Sequence, residues 1–398
     1  MDSAELSFLF TAEGLRLLDS LPGYTAGGAV KQVAELRRAG HSPELVAAVL
    51  TQARLREKAR AKFGAFAEHL LYTQAGLEQA TRLKVAALHA GRFRAAGVSR
   101  VADLGCGIGA DALAIAALDL PVVAVERDEV TAAIASYNLA SFPNAEVVHA
   151  DAEEFDLDAA GADAVYLDPA RRTSGTKNTA RLTRPDDYSP SVDFAFALAA
   201  RRPTGVKLGP GFDRSLIPGD AEAQWVSDDG QAVEMGLWFG ALARPGIRRS
   251  ALVLSASGAA ELTAAADSVD APVRELGEFV YEPDAAVIRA RLIGALAEQV
   301  DAGMLSPDIA YLTGDTLVAS PFASAFRVRE RLPASENQLK KALRERRIGT
   351  LEIKKRGIDV DPATLRTRLA LKGPESATLI LTRVAGAHEA LLVDRVAG

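Results

Sequence analysis

The stretch Val101-Ala-Asp-Leu-Gly-Cys-Gly-Ile-Gly-Ala-Asp111 decides the fold. The apolar run 101–104 reads as a short buried strand. Three glycines at alternate positions read as a loop, and Asp111 opens an Ala- and Leu-rich helix over 111–118. Gly105, Gly107 and Gly109 carry no Cβ, so a ligand can lie against their backbone. The helix behind them offers unsatisfied N–H groups. By its letters, Gly105-x-Gly107-x-x-Ala110 also fits the dinucleotide-binding fingerprint, so the surroundings must decide what binds.

Working outward, apolar runs at 101–104, 121–125, 146–149, 164–167 and 205–208 alternate with helical stretches. Such alternation predicts right-handed βαβ units and a mostly parallel sheet, an α/β fold over 73–258. Two further runs, 233–239 and 250–254, follow without a long helix between them and are expected to pair antiparallel at a sheet edge. Residues 1–72 read as helices. Ser42-Pro43-Glu44 starts one of them, with an apolar stripe at Leu45, Val46, Val49, Leu50 and Ala53. Residues 259–325 are expected to be a helical connecting segment, with Asp284 capping a helix over 285–297.

Composition bounds the rest. The 398 residues suit about two to three domains. At 48% hydrophobic and 25% charged, the chain is an ordinary globular protein and not a disordered or fibrous one. No run of 18 apolar residues occurs, and Asp2 and Glu5 stand where a signal peptide carries basic residues. The expectation is a cytoplasmic protein with no membrane partner. Cys106 is the single cysteine, and the five histidines are at least 20 residues apart. No disulfide and no cysteine-based zinc site can form, and no metal is expected.

Three carboxylates around the glycine loop argue against a dinucleotide. Asp103, two residues before Gly105, would repel a pyrophosphate and attract an ammonium group. Glu126 ends the second strand, where an acid can accept both ribose hydroxyls. Asp151 follows the third strand, where an acid can accept an adenine amino proton. An amine, a ribose and an adenine without phosphates describe S-adenosylmethionine. The set Asp103, Gly105, Gly107, Gly109, Glu126 and Asp151 resembles the cofactor site of the class I S-adenosylmethionine-dependent methyltransferases. That resemblance implies a Rossmann-like domain with S-adenosylmethionine as cofactor, and no nicotinamide chemistry.

The fourth strand ends in Asp168-Pro169-Ala170-Arg171-Arg172. This resembles the Asp/Asn-Pro-Pro-aromatic motif of methyltransferases that modify exocyclic nitrogens, with Ala170 in place of the second proline and Arg171 in place of the aromatic. The resemblance implies that Asp168 accepts hydrogens of the target amine. Arg171 and Arg172 suit phosphate. The polar segment that follows reads as a substrate loop in which Tyr188 could stack on a base. Lys207 ends the fifth strand, and Glu234 follows. Asp168, Lys207 and Glu234 resemble the last three members of the Lys-Asp-Lys-Glu set of ribose 2′-O-methyltransferases, for whose first lysine only Lys84 offers itself. The catalytic candidates are therefore Asp168 and Lys207, acting on a base nitrogen in preference to a ribose oxygen. Upstream, Gln79 and Thr81 are candidate cofactor contacts.

The tail is different in charge. Residues 326–372 hold 14 Lys and Arg against six Asp and Glu, an excess of +8 in a chain whose net charge is −6. Interleaved strand and helix patterns make residues 326–398 a folded basic α+β module, the kind of asymmetry that marks a nucleic-acid face. Together with the core motifs, the module resembles bacterial methyltransferases with a THUMP-like C-terminal domain. THUMP domains occur in RNA-modifying enzymes, so the resemblance implies ribosomal or transfer RNA as partner. A small-molecule or protein methyltransferase, or a non-catalytic RNA-binding protein that keeps the cofactor fold, are the alternatives.

Overall fold

The computed structural model describes residues 3–21, 23–171 and 188–396. By contacts among its residues the chain divides into two compact units, Met1–Leu208 with Leu237–Ala243, and Gly209–Gly236 with Arg244–Gly398. This division is coarser than the four segments 1–72, 73–258, 259–325 and 326–398, and it cuts at other places.

The first unit opens with helices α1 (Ser3–Leu9), α2 (Ala12–Ser20), α3 (Ala29–Arg38), α4 (Pro43–Phe63), α5 (Gln74–Gln79) and α6 (Leu83–Ala95). Ser42 caps α4 by accepting from the Leu45 N–H at 3.2 Å, with Pro43 in the first turn. Its stripe is buried at Leu45, Val46, Val49 and Leu50. Then follow β1 (Val101–Leu104), α7 (Ala110–Ala117), β2 (Val122–Glu126), α8 (Glu129–Leu139), β3 (Ala145–His149), β4 (Ala164–Leu167), the short strands β5 (Ala170–Arg171) and β6 (Tyr188–Ser189), α9 (Val192–Ala199) and β7 (Thr204–Leu208). The five main strands are parallel in the order β7-β4-β1-β2-β3. Strand order reverses beside β1, so the carboxyl ends of β1 and β4 flank the switch-point crevice.

The N-terminal helices share one apolar core with this sheet. Buried amides fix the seam. Asn138 on α8 accepts from the Leu71 N–H at 2.8 Å and donates to the carbonyls of Leu71 and of Ile108 in the glycine loop. Gln52 on α4 bonds both the N–H and the C=O of Tyr72. A buried amide that meets its partners in this way fixes backbone position, because leaving it unpaired costs about 1–3 kcal/mol.

The second unit contains β8 (Glu222–Asp228), most of β9 (Gln231–Phe239), β10 (Arg249–Ser255), β11 (Gly258–Ala264), β12 (Phe279–Pro283), α10 (Ala285–Ala290), α11 (Ile293–Gln299), β13 (Gly303–Met304), β14 (Leu312–Gly314), β15 (Ala323–Leu332), α12 (Glu336–Glu345), β16 (Ile348–Lys355), α13 (Pro362–Leu369), β17 (Glu375–Val384) and β18 (Ala387–Arg395). The expected pairing of 233–239 with 250–254 is corrected. β10 lies between β8, to which it is parallel, and β11, to which it is antiparallel. β8 escapes a reading by periodicity because Glu222, Gln224, Ser227 and Asp228 are all buried on it. Arg244 makes the burial of Glu222 tolerable. It bonds Glu222 through its backbone N–H at 2.8 Å and its guanidinium, and it also pairs with Glu261, which accepts from Ser250 at 2.6 Å.

The helical expectation for 259–325 is corrected as well. Val280 and Tyr281 are wholly buried on β12, which pairs with β14 and β15. Asp284 does cap a helix, but α10 stops at Ala290. Arg291 turns left-handed (φ 60°), and a Cβ on Gly294 would meet the Val269 carbonyl. Strands β13-β14-β12-β15-β18-β17-β16 form one sheet. Along β17 the side chains alternate: Leu379 and Leu381 join the core under α12 and α13, and Ile380 joins the core beside Phe326 and Tyr311.

Candidate active site

The glycine loop leaves β1 with Gly105, Gly107 and Gly109 all at positive φ. The carbonyl of Val125 on β2 receives the N–H groups of Gly105 and Cys106 at 2.8 and 3.0 Å. A Cβ on Gly107 would meet no atom within 4 Å, so open space lies against that backbone. Glu126 is half-buried at the end of β2. It accepts from the Gly107 N–H at 3.1 Å and the Asp128 N–H at 2.9 Å, which ties the loop to the second strand. Asp151 lies beyond β3, exposed, and accepts from the Glu153 N–H.

Asp103 is 1% exposed, and its Oδ2 has no hydrogen-bond partner. Burial pushes its carboxyl well above the usual carboxylate range, and the charges of Asp111 and Asp168 push the same way. A buried acceptor without a donor is costly. An ammonium group delivered by a ligand would satisfy it. The residues present therefore fit an amine-bearing cofactor that lies over the loop.

At the carboxyl ends of β4 and β7, Lys207 donates to Asp168 in an ion pair whose partners are 11% and 30% exposed. The register pairs Leu167 with Val206, so the next residues stand side by side. Lys207 also donates to the Thr81 hydroxyl at 3.0 Å. Thr81 donates onward to Asp111 at 2.6 Å, and His89 meets Asp111 at 2.8 Å. Tyr166 Oη stands 2.9 Å from the same His89 nitrogen. Burial would raise the Asp111 carboxyl, but the His89 hydrogen bond and charge, with Lys207 and Thr81, hold it below its ordinary value. A polar chain thus runs beneath the crevice from Asp168 through Lys207, Thr81 and Asp111 to His89 and Tyr166.

Sequence reading singled out two members of this chain as catalytic and offered Thr81 as a cofactor contact, but gave Asp111, His89 and Tyr166 no role. Asp111 in the first helical turn behind the glycines was the available signal. Lys62 on α4 was missed too. Its ammonium donates to the carbonyls of Leu77, Glu78 and Ala80 at 2.7–2.8 Å, closing the C-terminal end of α5. Burial, then the charges of Lys207 and Arg82, lower its pKa to about 8. Lys84 is exposed on α6. Tyr188 is 3% exposed in the β5–β6 ribbon, so it presents no free face for a base. Arg171 is placed by its backbone opposite Tyr188, Arg172 lies outside the described residues, and Glu234 is buried in the second unit.

A methyltransferase-domain model matches residues 101–186, a THUMP domain-like model matches 323–395, and a domain of unknown function matches 2–59. Uncharacterized S-adenosylmethionine-dependent methyltransferases from two strains of Mycobacterium tuberculosis are 33% identical over 340 residues, which is 83% of this chain and 90% of theirs. The chain belongs to the S-adenosylmethionine-dependent methyltransferases. A crystal structure from Porphyromonas gingivalis, described as a putative methyltransferase, shares the fold of this methyltransferase over 100% of both chains, with a TM-score of 0.75 at 21% identity. S-adenosylmethionine is thus the methyltransferase's cofactor. Among the described residues no group of three or more His, Cys, Asp or Glu could hold a metal ion, and no helix is long and apolar enough to cross a membrane.

Proposed function

We propose that this methyltransferase acts on RNA, ribosomal or transfer, and transfers the methyl group to a base nitrogen beside Asp168. The observation that carries the RNA reading is the charge of the C-terminal module. Among the described residues seven of its cations pair with carboxylates, as Arg346 does with Glu330 and Lys354 with Glu282. Arg344, Arg347 and Lys372 are exposed and have no carboxylate partner among the described residues. Phosphates would supply the missing counter-charge. The THUMP-like match over the same residues supports the reading by analogy. Functionally we keep four parts: helices to 72, the methyltransferase domain 73–258, a connecting segment 259–325 and the basic domain 326–398.

When bound, the cofactor supplies an activated methyl group on a sulfonium. In our reading Asp103 pairs with its ammonium, the backbone of Gly105, Gly107 and Gly109 lies against it, Glu126 accepts from the ribose and Asp151 from the adenine amine. Asp168 accepts a hydrogen bond from the target amine, which directs the nitrogen lone pair at the methyl group. After transfer the carboxylate takes the proton that the methylated nitrogen releases. Lys207 holds Asp168 oriented. With its nitrogen committed to Asp168 and Thr81, Lys207 serves the carboxylate and not a substrate hydroxyl, which favours nitrogen over ribose oxygen. Arg171 and Arg172 are assigned to substrate phosphate.

The test is methyl transfer from isotope-labelled cofactor to RNA of a deletion strain, followed by mass-spectrometric nucleoside mapping. A base-methylated nucleoside that returns with the wild-type protein supports the proposal. Label in ribose would move the target to the 2′-oxygen. Label only in protein or small molecules would end the RNA reading.

A further inference from the structure

Within the second unit, a cleft of about 400 Å3 opens between residues 210–214, β8 and α10. Arg214, Arg289, Arg291 and Arg356 line it, and no Asp or Glu does. Arg214 is engaged: it pairs with both oxygens of Asp267 and stacks 5.0 Å above the Trp225 ring. The other three have no carboxylate partner among the described residues. Arg289 donates to the Pro210 carbonyl at 2.9 Å. Arg356 lies over Tyr311 at 5.3 Å, and its Nε has no hydrogen-bond partner.

The local backbone aims two of these cations together. Residues two apart on a helix do not face each other. Arg289 and Arg291 nevertheless line one cleft, because α10 ends at Ala290 and Arg291 adopts φ 60°. That region is unfavourable for a residue with a Cβ. Like charges held together at such a cost call for an anion. Trp225 and Phe212 are nearly wholly buried behind the cleft, and Ile288 and Ala285 supply its accessible apolar edge. Guanidinium groups beside an apolar edge fit a phosphate that carries a partly apolar body. The volume lies in the range of small-ligand sites, about 300–1,000 Å3.

We propose that this cleft binds one nucleotide of single-stranded RNA, with its phosphate on Arg289, Arg291 and Arg356 and its base against Ile288 and Ala285. The inference rests on RNA as the substrate class. It adds a holding point within the second unit.

Fluorescence anisotropy of the full-length protein with a short, mixed-sequence single-stranded RNA tests it. The variant is R289Q/R291N, since Asn tolerates the left-handed backbone. Affinity should fall at least tenfold, the scale of a lost hydrogen bond to a charged group. The slope of log K against log salt should flatten by about 0.7, the value for one lost phosphate contact on a single strand. R289K/R291K should recover most of the affinity, and S-adenosylmethionine binding should be unchanged in both. Unchanged RNA affinity and slope in R289Q/R291N, with cofactor binding intact, would overturn the cleft while leaving RNA methylation standing. Displacement of the RNA by equimolar AMP would assign the cleft to a free nucleotide and overturn it also. Absence of methyl transfer to any RNA would instead remove the reading on which the inference rests.

Discussion

The Lys207 ammonium meets the Asp168 carboxylate across the adjacent parallel strands β7 and β4, and the same ammonium reaches Thr81 at 3.0 Å. Lys207 therefore holds Asp168 in place and is itself held from beneath. With a base-nitrogen target, Asp168→Ala should slow single-turnover methyl transfer by roughly 10²–10⁴, the usual contribution of a placed acid–base group. Lys207→Ala should act more modestly, through the orientation of Asp168. With a ribose target, Lys207→Ala should be at least as damaging. Full activity in both variants would mean that the reacting atom lies elsewhere.

Asp103 links cofactor affinity to pH. Its pKa lies above the ordinary 3.8, so between 3.8 and its raised value the folded apo-protein holds a proton there that the unfolded chain has lost. Its contribution to stability accordingly falls as pH rises through that window. An ammonium at Oδ2 favours the ionised form, so binding should release a proton at pH values below the raised pKa. Calorimetry in buffers of different ionisation enthalpy measures that release. Asp103→Asn should abolish it and weaken binding by about 1.5–3 kcal/mol. The same proton release in wild type and Asp103→Asn would place the ammonium elsewhere.

Lys62 carries the opposite sign. Its pKa is lowered from 10.5 to about 8, so between those values the unfolded chain binds more protons than the folded one. Its contribution to stability should rise with pH across that interval. Urea unfolding at a series of pH values should show this rise in the wild type and a flatter profile in Lys62→Met. Superimposable profiles would show that the ammonium is not destabilised where it stands. The variant also frees the end of α5, so KM for cofactor should rise more than kcat falls.

Gly76 on α5 sits where a Cβ would come within 2.5 Å of the Ile108 side chain in the glycine loop. Gly76→Ala should cost about 1–3 kcal/mol through overpacking, despite the better helix propensity of alanine. Ile108 is also tied by its carbonyl to Asn138, so the strain should pass into the loop and weaken cofactor binding. Thermal unfolding and calorimetry check the two effects. A stabilised variant with normal binding would show that α5 does not press on the loop.

The parts with local signals are legible in the chain of residues. A strand, three glycines and a helix start are contiguous in 101–111, and the acids that follow sit at strand ends that hydrophobic runs already mark. The same holds for the capped start of α4 and for the charge excess of the tail. Tertiary structure alone decided the rest. β8 carries four buried polar residues, and the partners of two of them, Arg244 for Glu222 and Glu261 for Gln224, lie elsewhere in the chain, so no periodicity marks it. Thr81 reaches Asp111 across 30 positions of chain, His89 reaches Tyr166 across 77, and Lys207 reaches Thr81 across 126. Arg291 joins Arg289 in one cleft only because a helix stops and the backbone turns left-handed. Backbone conformation and burial patterns are written in neighbouring residues. The partner of a buried charge is set by which elements the whole core brings together, and no short stretch of sequence contains that information.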